Sequence, residues 1–336
     1  MQLIGPLFAL VLLAWAPYAA TNPAAGPSDT AAAAALAPRG EHVLAWAPYA
    51  ATTPAPTDDP RVLLIGLDGV RPDRLAHAQT PNIDALAARG FYSPIAQTRM
   101  PTVSGPAWSS MTGGVWSEKH GVLGNDFSEN RYEEYPDFLT RLEQLDADRW
   151  NTLAVLDWPP LGTTNAGGPM ISDTVDTKVI INGDVIGYPE ADARSCNAAE
   201  ALLATQEVHA AFVYLGNIDV AGHNTSSFSA EYTEAIEWAD GCVGRLAEAL
   251  AGRPDSEDWL ILMSTDHGRT PEGGHGGDSP EELTIFYLAA GAAANPEEKR
   301  VPTTVDVAVT ALTHLGVAID PAWKLDGRAI GLRAGQ

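Results

Sequence analysis

Short apolar runs and amphipathic stretches alternate along most of the chain. Fully apolar runs of five to seven residues are typical of strands that are buried on both faces of a sheet. Such runs predict strands at Arg61–Leu67, Thr152–Leu156, Ala210–Leu215, Trp259–Met263 and Thr284–Leu288. Helical spacing of apolar residues predicts helices at Asn82–Arg89, Pro136–Leu145, Cys196–Thr205, Ala230–Ala251 and Thr304–Leu315. This alternation predicts an α/β fold in which helices sandwich a mostly parallel central sheet, within a single domain.

The first part of the chain lacks this alternation. Residues 3–20 form an apolar run that ends in small residues, which predicts a signal peptide over residues 1–20 and export to the periplasm or the outside of the cell. Pro6 and Pro17 argue against a spanning helix, so no stable membrane span is expected beyond this signal. Residues 21–59 are rich in Ala, Pro and Thr and predict a disordered linker. The folded domain then covers residues 60–333.

The net charge limits the possible binding partners, and the two cysteines raise the possibility of a disulfide. The chain has 336 residues and a formal net charge of −23, so binding to nucleic acid through a basic surface is not expected. A small molecule is the expected partner, and the sequence does not indicate an oligomeric state. Cys196 and Cys242 are the only cysteines. They form one disulfide or remain two buried thiols, and the sequence leaves both possibilities open.

Carboxylates and imidazoles follow several of the predicted strands. In open α/β sheets, ligands bind beyond the carboxyl ends of the strands. Each of these side chains alone has an ordinary explanation, as a turn cap, a surface pair or part of a loop. Their occurrence together indicates a metal site, and their number indicates two ions. The candidate ligands are Asp68 after the first strand, Asp219 and His223 after the third, and Asp266, His267 and His275 after the fourth.

A hydroxyl side chain, Ser104, precedes a segment that predicts the first turns of a helix. Pro106 suits such a start because its missing N–H would have no partner there. Unpaired N–H groups at a helix N-terminus attract phosphate or sulfate. A Ser-Gly-Pro turn alone is usually a structural cap, and the candidate metal ligands are what make Ser104 a candidate nucleophile.

These motifs together resemble the alkaline phosphatase superfamily. The nearest branch is that of the nucleotide pyrophosphatase/phosphodiesterases, also called type I phosphodiesterases, and it implies an alkaline-phosphatase-like fold. The resemblance covers residues 61–285. The motifs that carry it are Asp68-Gly, Ser104-Gly-Pro, His120-Gly, Asp219-x-x-x-His223 and Asp266-His267-Gly.

The resemblance implies a hydrolase of phosphoric esters or nucleotides with two zinc ions, other divalent metals being possible in their place. Ser104 is implied as the nucleophile that forms a phospho-serine intermediate, and Asn125 as the donor of an amide hydrogen bond to a phosphoryl oxygen. The implied ligands of one zinc are Asp68, Asp266, His267 and the Ser104 oxygen, and those of the other are Asp219, His223 and His275.

The chain also departs from the family. Ser104 stands where these phosphodiesterases usually have threonine, and His275 follows His267 by only eight residues. Ser-x-Pro is also a sulfatase-like pattern, but Trp108 stands where that pattern has arginine. A sulfatase is the main alternative. A phosphomonoesterase, a phosphoethanolamine-transferring or mutase-like enzyme, and a non-catalytic binding member remain open.

The choice between diester and monoester substrates rests on fewer residues. No arginine lies between Ser104 and Asn125, which favours a diester because a monoester has one more anionic oxygen to stabilise. Trp108 and Trp158 are candidates for stacking on a nucleobase or another planar part of a substrate. Packing in the core or at its rim is the alternative explanation for both tryptophans.

Overall fold

The first strand, β1, lies in the middle of a seven-stranded sheet. The computed structural model describes residues 59–333, so the expected signal peptide, and the expected linker apart from Asp59, lie outside the described residues. The strands are β1 Asp59–Leu67, β2 Phe91–Gln97, β3 Thr152–Leu156, β4 Thr177–Ile180, β5 Ala210–Leu215, β6 Glu257–Ser264 and β7 Thr284–Ala290. Their order across the sheet is β2-β7-β6-β1-β5-β3-β4.

The sheet is parallel except at β7. β1 pairs in parallel with β5 and β6, and β3 pairs in parallel with β4 and β5. β7 is antiparallel to both of its neighbours, β6 and β2. The predicted α/β fold with a mostly parallel sheet is therefore confirmed. Asp59, assigned to the linker by composition, instead begins β1, where it pairs with Glu257.

Helices flank the sheet and connect its strands. The helices are α1 Pro72–Leu75, α2 Pro81–Arg89, α3 Ser104–Gly113, α4 Ser117–His120, α5 Phe138–Asp146, α6 Gly183–Ile186, α7 Tyr188–Thr205, α8 Asn217–Asn224, α9 Ala230–Ala251, α10 Pro280–Leu283 and α11 Asp306–His314. Short 3-10 helices lie at Pro159–Leu161, Asn165–Gly167 and Pro321–Trp323. Within the described residues, none of the helices combines the length and the apolar character needed to cross a membrane.

From Val62 to Leu67 the side chains of β1 alternate between two hydrophobic cores, which explains why this part of the strand is apolar. Val62 and Leu64 pack on one face with residues of α3, α5 and α11. Leu63, Ile65 and Leu67 pack on the other face with residues of α2, α7 and α9. All five side chains are fully buried.

A disulfide joins two helices on the second face of the sheet. Cys196 of α7 is bonded to Cys242 of α9, with 5.9 Å between the two Cα atoms. Both residues are buried. The structure thus decides the alternative that the sequence left open, in favour of a disulfide rather than two thiols.

Candidate active site

The carboxyl ends of three adjacent strands bring the predicted ligands together. Asp68 follows β1, Asp219 lies on α8 after β5, and Asp266 follows β6. Because β1 lies between β5 and β6 in the sheet, the three aspartates converge at one edge. His267 directly follows Asp266 in the sequence. The loop that follows His267 brings His275 back to the site. The structure therefore brings these residues together at one edge of the sheet.

Ser104 is the first residue of α3 and faces this cluster. Its Oγ lies 3.4 Å from Nε2 of His267. The serine is 6% exposed, and every other residue of the helix is buried as well. The hydroxyl therefore stands at a helix N-terminus, where backbone N–H groups favour an anion.

Two aspartates each leave one buried oxygen without a hydrogen-bond donor. Oδ2 of Asp68 accepts hydrogen bonds from Nε1 of Trp108 at 2.9 Å and from the Tyr214 hydroxyl at 2.6 Å, whereas Oδ1 has no hydrogen-bond partner among residues 59–333. Oδ1 of Asp266 accepts from the N–H of Gly69 at 3.1 Å, whereas Oδ2 has no hydrogen-bond partner in the same part of the chain. Unpaired buried carboxylate oxygens are costly, and a bound cation would satisfy both.

Two histidines, His267 and His275, are anchored to the backbone through Nδ1 and turn Nε2 toward the aspartates of the site. Nδ1 of His267 lies 3.0 Å from the carbonyl of Gly268, and Nδ1 of His275 lies 2.8 Å from the carbonyl of Thr102. Nδ1 must carry the proton in both rings, because a carbonyl only accepts. Nε2 of His267 then directs a lone pair toward Asp266 Oδ2, 3.2 Å away. Backbone-anchored imidazoles of this kind are typical of metal ligands.

The potential ligand atoms form two overlapping groups whose members lie within 4.8 Å of one another. One group is Asp219, His223 and His275, and the other is Asp68, Asp219 and His267. Asp219 belongs to both, whereas the sequence assigned it to only one ion and placed Asp266 with Asp68. The mixed nitrogen and oxygen donors are those that zinc prefers. The residues present therefore fit two closely spaced divalent ions.

Burial sets the protonation of these groups in the absence of metal. It raises the pKa of Asp68 to about 6, an effect to which the neighbouring Asp219 adds and which the hydrogen bonds from Tyr214 and Trp108 oppose. Burial also raises the pKa of Asp266 well above its usual value and lowers the pKa of His267 well below its own. The imidazole is thus neutral, which is the form that binds metal, and a cation would displace protons from the carboxyls.

A buried arginine that is not among the predicted site residues holds Asp219. The Arg269 side chain is fully buried, and its Nη1 donates to Oδ1 of Asp219 at 2.8 Å and to the Asp219 carbonyl at 2.7 Å. A Cβ at Gly222 would lie 2.6 Å from this Nη1, and one at Gly69 would lie 2.9 Å from it. The two glycines therefore make room for the guanidinium. The sequence offered one signal for Arg269, which is its position directly after the Asp266-His267-Gly268 motif.

The buried carboxyl groups of Asp192 and Asp157 lie near the start of α8, the helix that carries Asp219 and His223. Oδ1 of Asp192 accepts from the N–H groups of Gly216 and Asn217 at 3.0 and 3.2 Å, which caps the start of α8. Burial, together with the neighbouring Asp192 carboxyl, raises the pKa of Asp157 well above its usual value. Asp157 Oδ1 and Asp192 Oδ2 are both buried without a hydrogen-bond partner among the described residues, and a proton held between the two carboxyls would satisfy them.

Asn125 and the two tryptophans occupy different environments. Asn125 is exposed, and its Oδ1 accepts from the N–H of Gly105 at 2.8 Å, which places its side chain beside the start of α3. Trp158 is partly buried, with its ring centroid 5.8 Å from that of Phe127. Trp108 is fully buried. The expectation that Trp108 stacks on a substrate is wrong, because its ring packs in the core beneath the site.

Comparisons with known proteins agree with this geometry. A family model described as type I phosphodiesterase/nucleotide pyrophosphatase matches residues 62–166 and 170–284, and a model of a domain of unknown function matches residues 293–330. An uncharacterized pyrophosphatase/phosphodiesterase of Schizosaccharomyces pombe is 28% identical over 227 residues, which is 62% of this chain and 45% of that protein. The chain thus spans less than half the length of this relative.

Two solved structures share the fold. A murine ectonucleotide pyrophosphatase/phosphodiesterase 5, an inactive variant in complex with AMP, superposes with a TM-score of 0.62 at 14% identity, covering 78% of this chain and 96% of that one. A 2-O glycosaminoglycan sulfatase gives 0.62 at 15% identity, covering 81% and 73%. These two similarities show a shared fold. The family model covers well over half of the chain, so the chain belongs to the type I phosphodiesterase/nucleotide pyrophosphatase family, which confirms the resemblance seen in the sequence.

Proposed function

We propose that the chain is a phosphodiesterase or nucleotide pyrophosphatase that uses Ser104 as its nucleophile at a site for two zinc ions. The observation that carries the proposal is the position of Ser104 Oγ, 3.4 Å from His267 Nε2 at the N-terminus of α3. The unpaired Oδ1 of Asp68 and Oδ2 of Asp266 belong to the same cluster. A hydroxyl beside a candidate metal ligand set is the arrangement expected of an activated serine.

The proposed ligands divide between the two ions. Asp68, Asp266, His267 and the Ser104 oxygen would hold one, and Asp219, His223 and His275 would hold the other, with Asp219 close enough to contact both. Two such ions would stabilise charge on the attacking and leaving oxygens of an in-line displacement.

The proposed reaction has two displacements. Ser104 loses its proton to solvent, its Oγ bonds to phosphorus, and the leaving oxygen departs and takes up a proton. Water then hydrolyses the phospho-serine and restores the hydroxyl. Asn125 supports both displacements: because its Oδ1 accepts from Gly105, its Nδ2 remains available to donate to a phosphoryl oxygen.

A diester is the proposed substrate class. Lys119 is the only cation between Ser104 and Asn125 in the sequence, and it is bonded to Asp326 at 2.5 Å. Arg269 is fully buried against Asp219. The cations nearest to these motifs are therefore already engaged, which disfavours a dianionic monoester. The partly buried Trp158, which follows β3, is the proposed contact for a planar leaving group.

The test compares three substrates: bis-p-nitrophenyl phosphate, p-nitrophenyl phosphate and p-nitrophenyl sulfate. We expect the diester to be turned over fastest, chelator to abolish the activity and zinc to restore it. Ser104→Ala should lower kcat by about a thousandfold or more. Ser110→Ala is the matched control, because this hydroxyl lies on the same helix but faces His120 at 2.9 Å.

Three results would contradict the proposal. Full activity of Ser104→Ala would exclude Ser104 as the nucleophile. Faster turnover of the sulfate than of the diester would favour a sulfatase. Less than one zinc per chain after purification with added zinc would favour a non-catalytic binding member.

We also propose that the protein is exported. The apolar run at residues 3–20 predicts a signal peptide, and the Cys196–Cys242 disulfide suits an oxidising compartment. Fractionation of cells that express the full chain should find it outside the cytoplasm. Recovery of the protein in the cytoplasm with both thiols reduced would contradict this.

A further inference from the structure

Trp108 lies four residues after Ser104, one turn along α3. Its indole ring is fully buried between the helix and the sheet. The ring centroid lies 5.7 Å from that of Phe212 and 5.2 Å from that of Tyr214, both on β5. A Cβ at Gly66 of β1 would come within 2.5 Å of the indole, so the glycine is what lets the ring approach the strand. These contacts fix the direction of the indole N–H.

That N–H donates to the carboxylate of Asp68. The distance from Nε1 to Oδ2 is 2.9 Å, and the Tyr214 hydroxyl donates to the same oxygen at 2.6 Å. Two donors on Oδ2 leave Oδ1 as the only free oxygen of Asp68, and Oδ1 lies 3.7 Å from Nε2 of His267. Hydrogen bonds to a carboxylate are stronger than those between neutral groups, so they can hold it in one orientation.

We propose that Trp108 is a positioning residue for metal binding and for the nucleophile. It orients Asp68 so that only Oδ1 is free to contact a cation, and it ties the helix that begins at Ser104 to that ligand. Ser104 and Trp108 stand on the same face of α3, because residues four apart on a helix are neighbours. The inference rests on the proposed role of Asp68 as a metal ligand.

Simple core packing does not account for this choice of partner. A buried indole N–H needs an acceptor, but a backbone carbonyl would serve that need equally well. Here the acceptor is the carboxylate whose second oxygen is buried and unpaired. Hydrogen bonds from such outer residues typically change metal affinity by about 10- to 100-fold.

The experiment measures the affinity of the metal-free protein for Zn²⁺ alone, by competition with a chelating dye. The site-specific change is the replacement of Trp108 by 3-benzothienylalanine, which keeps the ring shape and replaces the N–H with sulfur. Trp108→Phe is the genetically simpler variant. Trp150→Phe is the matched control, because this buried tryptophan lies before β3, away from the carboxyl ends of the strands.

The protein is expected to bind two Zn²⁺ ions in two steps, and two reference variants show which ligand belongs to which step. Asp68→Ala should abolish one Zn²⁺-binding step and His223→Ala the other. In the benzothienyl variant we expect the step that depends on Asp68 to weaken by about tenfold, with the other step unchanged. The metal-free variant should remain folded with a modest fall in melting temperature, because Tyr214 still donates to Oδ2 of Asp68, and Trp150→Phe should leave both steps unchanged.

The outcomes separate this inference from the proposal on which it rests. If the benzothienyl variant binds Zn²⁺ like the wild type, Trp108 only fills space and the inference is overturned, even if Trp108→Phe fails to fold. If the wild type binds no Zn²⁺, or if Asp68→Ala binds like the wild type, the ligand assignment itself is wrong. Weakening confined to the Asp68 step supports both.

Discussion

Nε2 of His223 and Nε2 of His275 lie 2.8 Å apart. Asp219 lies beside both nitrogens, with carboxylate oxygens at 3.4 and 3.6 Å from them. Two ring nitrogens at this separation repel unless a proton or a cation lies between them. Burial lowers the pKa of both histidines and so keeps both rings neutral. In the metal-free protein a neutral His223 can donate its Nε2–H to His275, and a cation that both nitrogens and Asp219 can reach would replace that proton. His275 takes part in this group even though only eight residues separate it from His267.

The first prediction concerns zinc content. His275→Ala and His223→Ala should each lose one of the two zinc ions, because each removes a ligand from the same group. Elemental analysis after dialysis against a fixed free zinc concentration measures the loss. His77→Ala, a change at an exposed histidine that belongs to neither ligand group, should keep the wild-type content. Retention of both ions by His275→Ala would remove it from the ligand set.

The second prediction concerns the buried Arg269–Asp219 pair. Arg269→Met leaves the Asp219 carboxylate without its cation, and breaking such a pair typically costs about 3–5 kcal/mol of unfolding free energy. The loss should be largest in chelator, since bound zinc would neutralise Asp219. Urea unfolding with and without zinc measures both values.

The control for that pair is Arg245→Met, which breaks an exposed ion pair with Glu200. Exposed pairs contribute about 1 kcal/mol or less, so this variant should stay close to the wild type. Equal losses for the two arginine variants would show that Arg269 has no special role. A loss in Arg269→Met that zinc does not reduce would indicate a packing effect instead of a charge effect.

The third prediction concerns the disulfide. Cys196 and Cys242 are 46 residues apart in sequence, and closing a loop of that length stabilises the folded state by about 4 kcal/mol in the chain-entropy description. Replacing both cysteines with alanine should lower the unfolding free energy by a similar amount. The wild type in reducing agent should approach the variant, and the variant should not respond to reducing agent. Wild-type stability of the double variant would contradict a structural role.

The fourth prediction is that the buried carboxyls of Asp157 and Asp192 share a proton. Burial raises the pKa of Asp192 from 3.8 to about 7. Between these two pH values the unfolded chain has lost the proton and the folded protein retains it, so stability should fall as the pH rises through this window. The slope is at most about 1.4 kcal/mol per pH unit for each proton.

Asp157→Asn tests this account. The asparagine amide can donate to Asp192 as the shared proton does, so unfolding free energy should depend less steeply on pH between about 4 and 7. Asp255→Asn, at an exposed position before β6, should leave the wild-type slope unchanged. An unchanged slope in Asp157→Asn would mean that the pair does not share a proton across this range.

The sequence predicted the central strands better than the edges of the sheet. β1, β3 and β5 are buried on both faces, and continuous apolar runs mark them. β2 contains Pro94 and exposed residues, and the four residues of β4 are all half-buried, so neither strand shows such a run. The antiparallel direction of β7 leaves no mark in the sequence, because burial on both faces requires apolar residues in either direction.

The helix boundaries and the site residues also divide into features that the sequence predicts and features that it does not. α7 begins at Tyr188, eight residues before the predicted start, because Pro189 suits the first turn while the apolar spacing there is weak. Ser104 and the six candidate ligands were recognisable because their chemistry is local to short motifs. The partners of Trp108 and Arg269 lie 40 and 50 residues away in sequence, and only the folded chain shows which oxygens they reach.

The space around Arg269 couples three positions in evolution. A Cβ at Gly222 would come within 2.6 Å of the guanidinium and one at Gly69 within 2.9 Å, so either substitution would force the arginine to move. Gly69 also has a φ of +67°, which favours glycine whatever residue stands at 269. Among relatives, arginine after the Asp-His-Gly motif should therefore occur together with glycine at both other positions. Relatives with a smaller residue at 269 should show no such restriction at the position of Gly222.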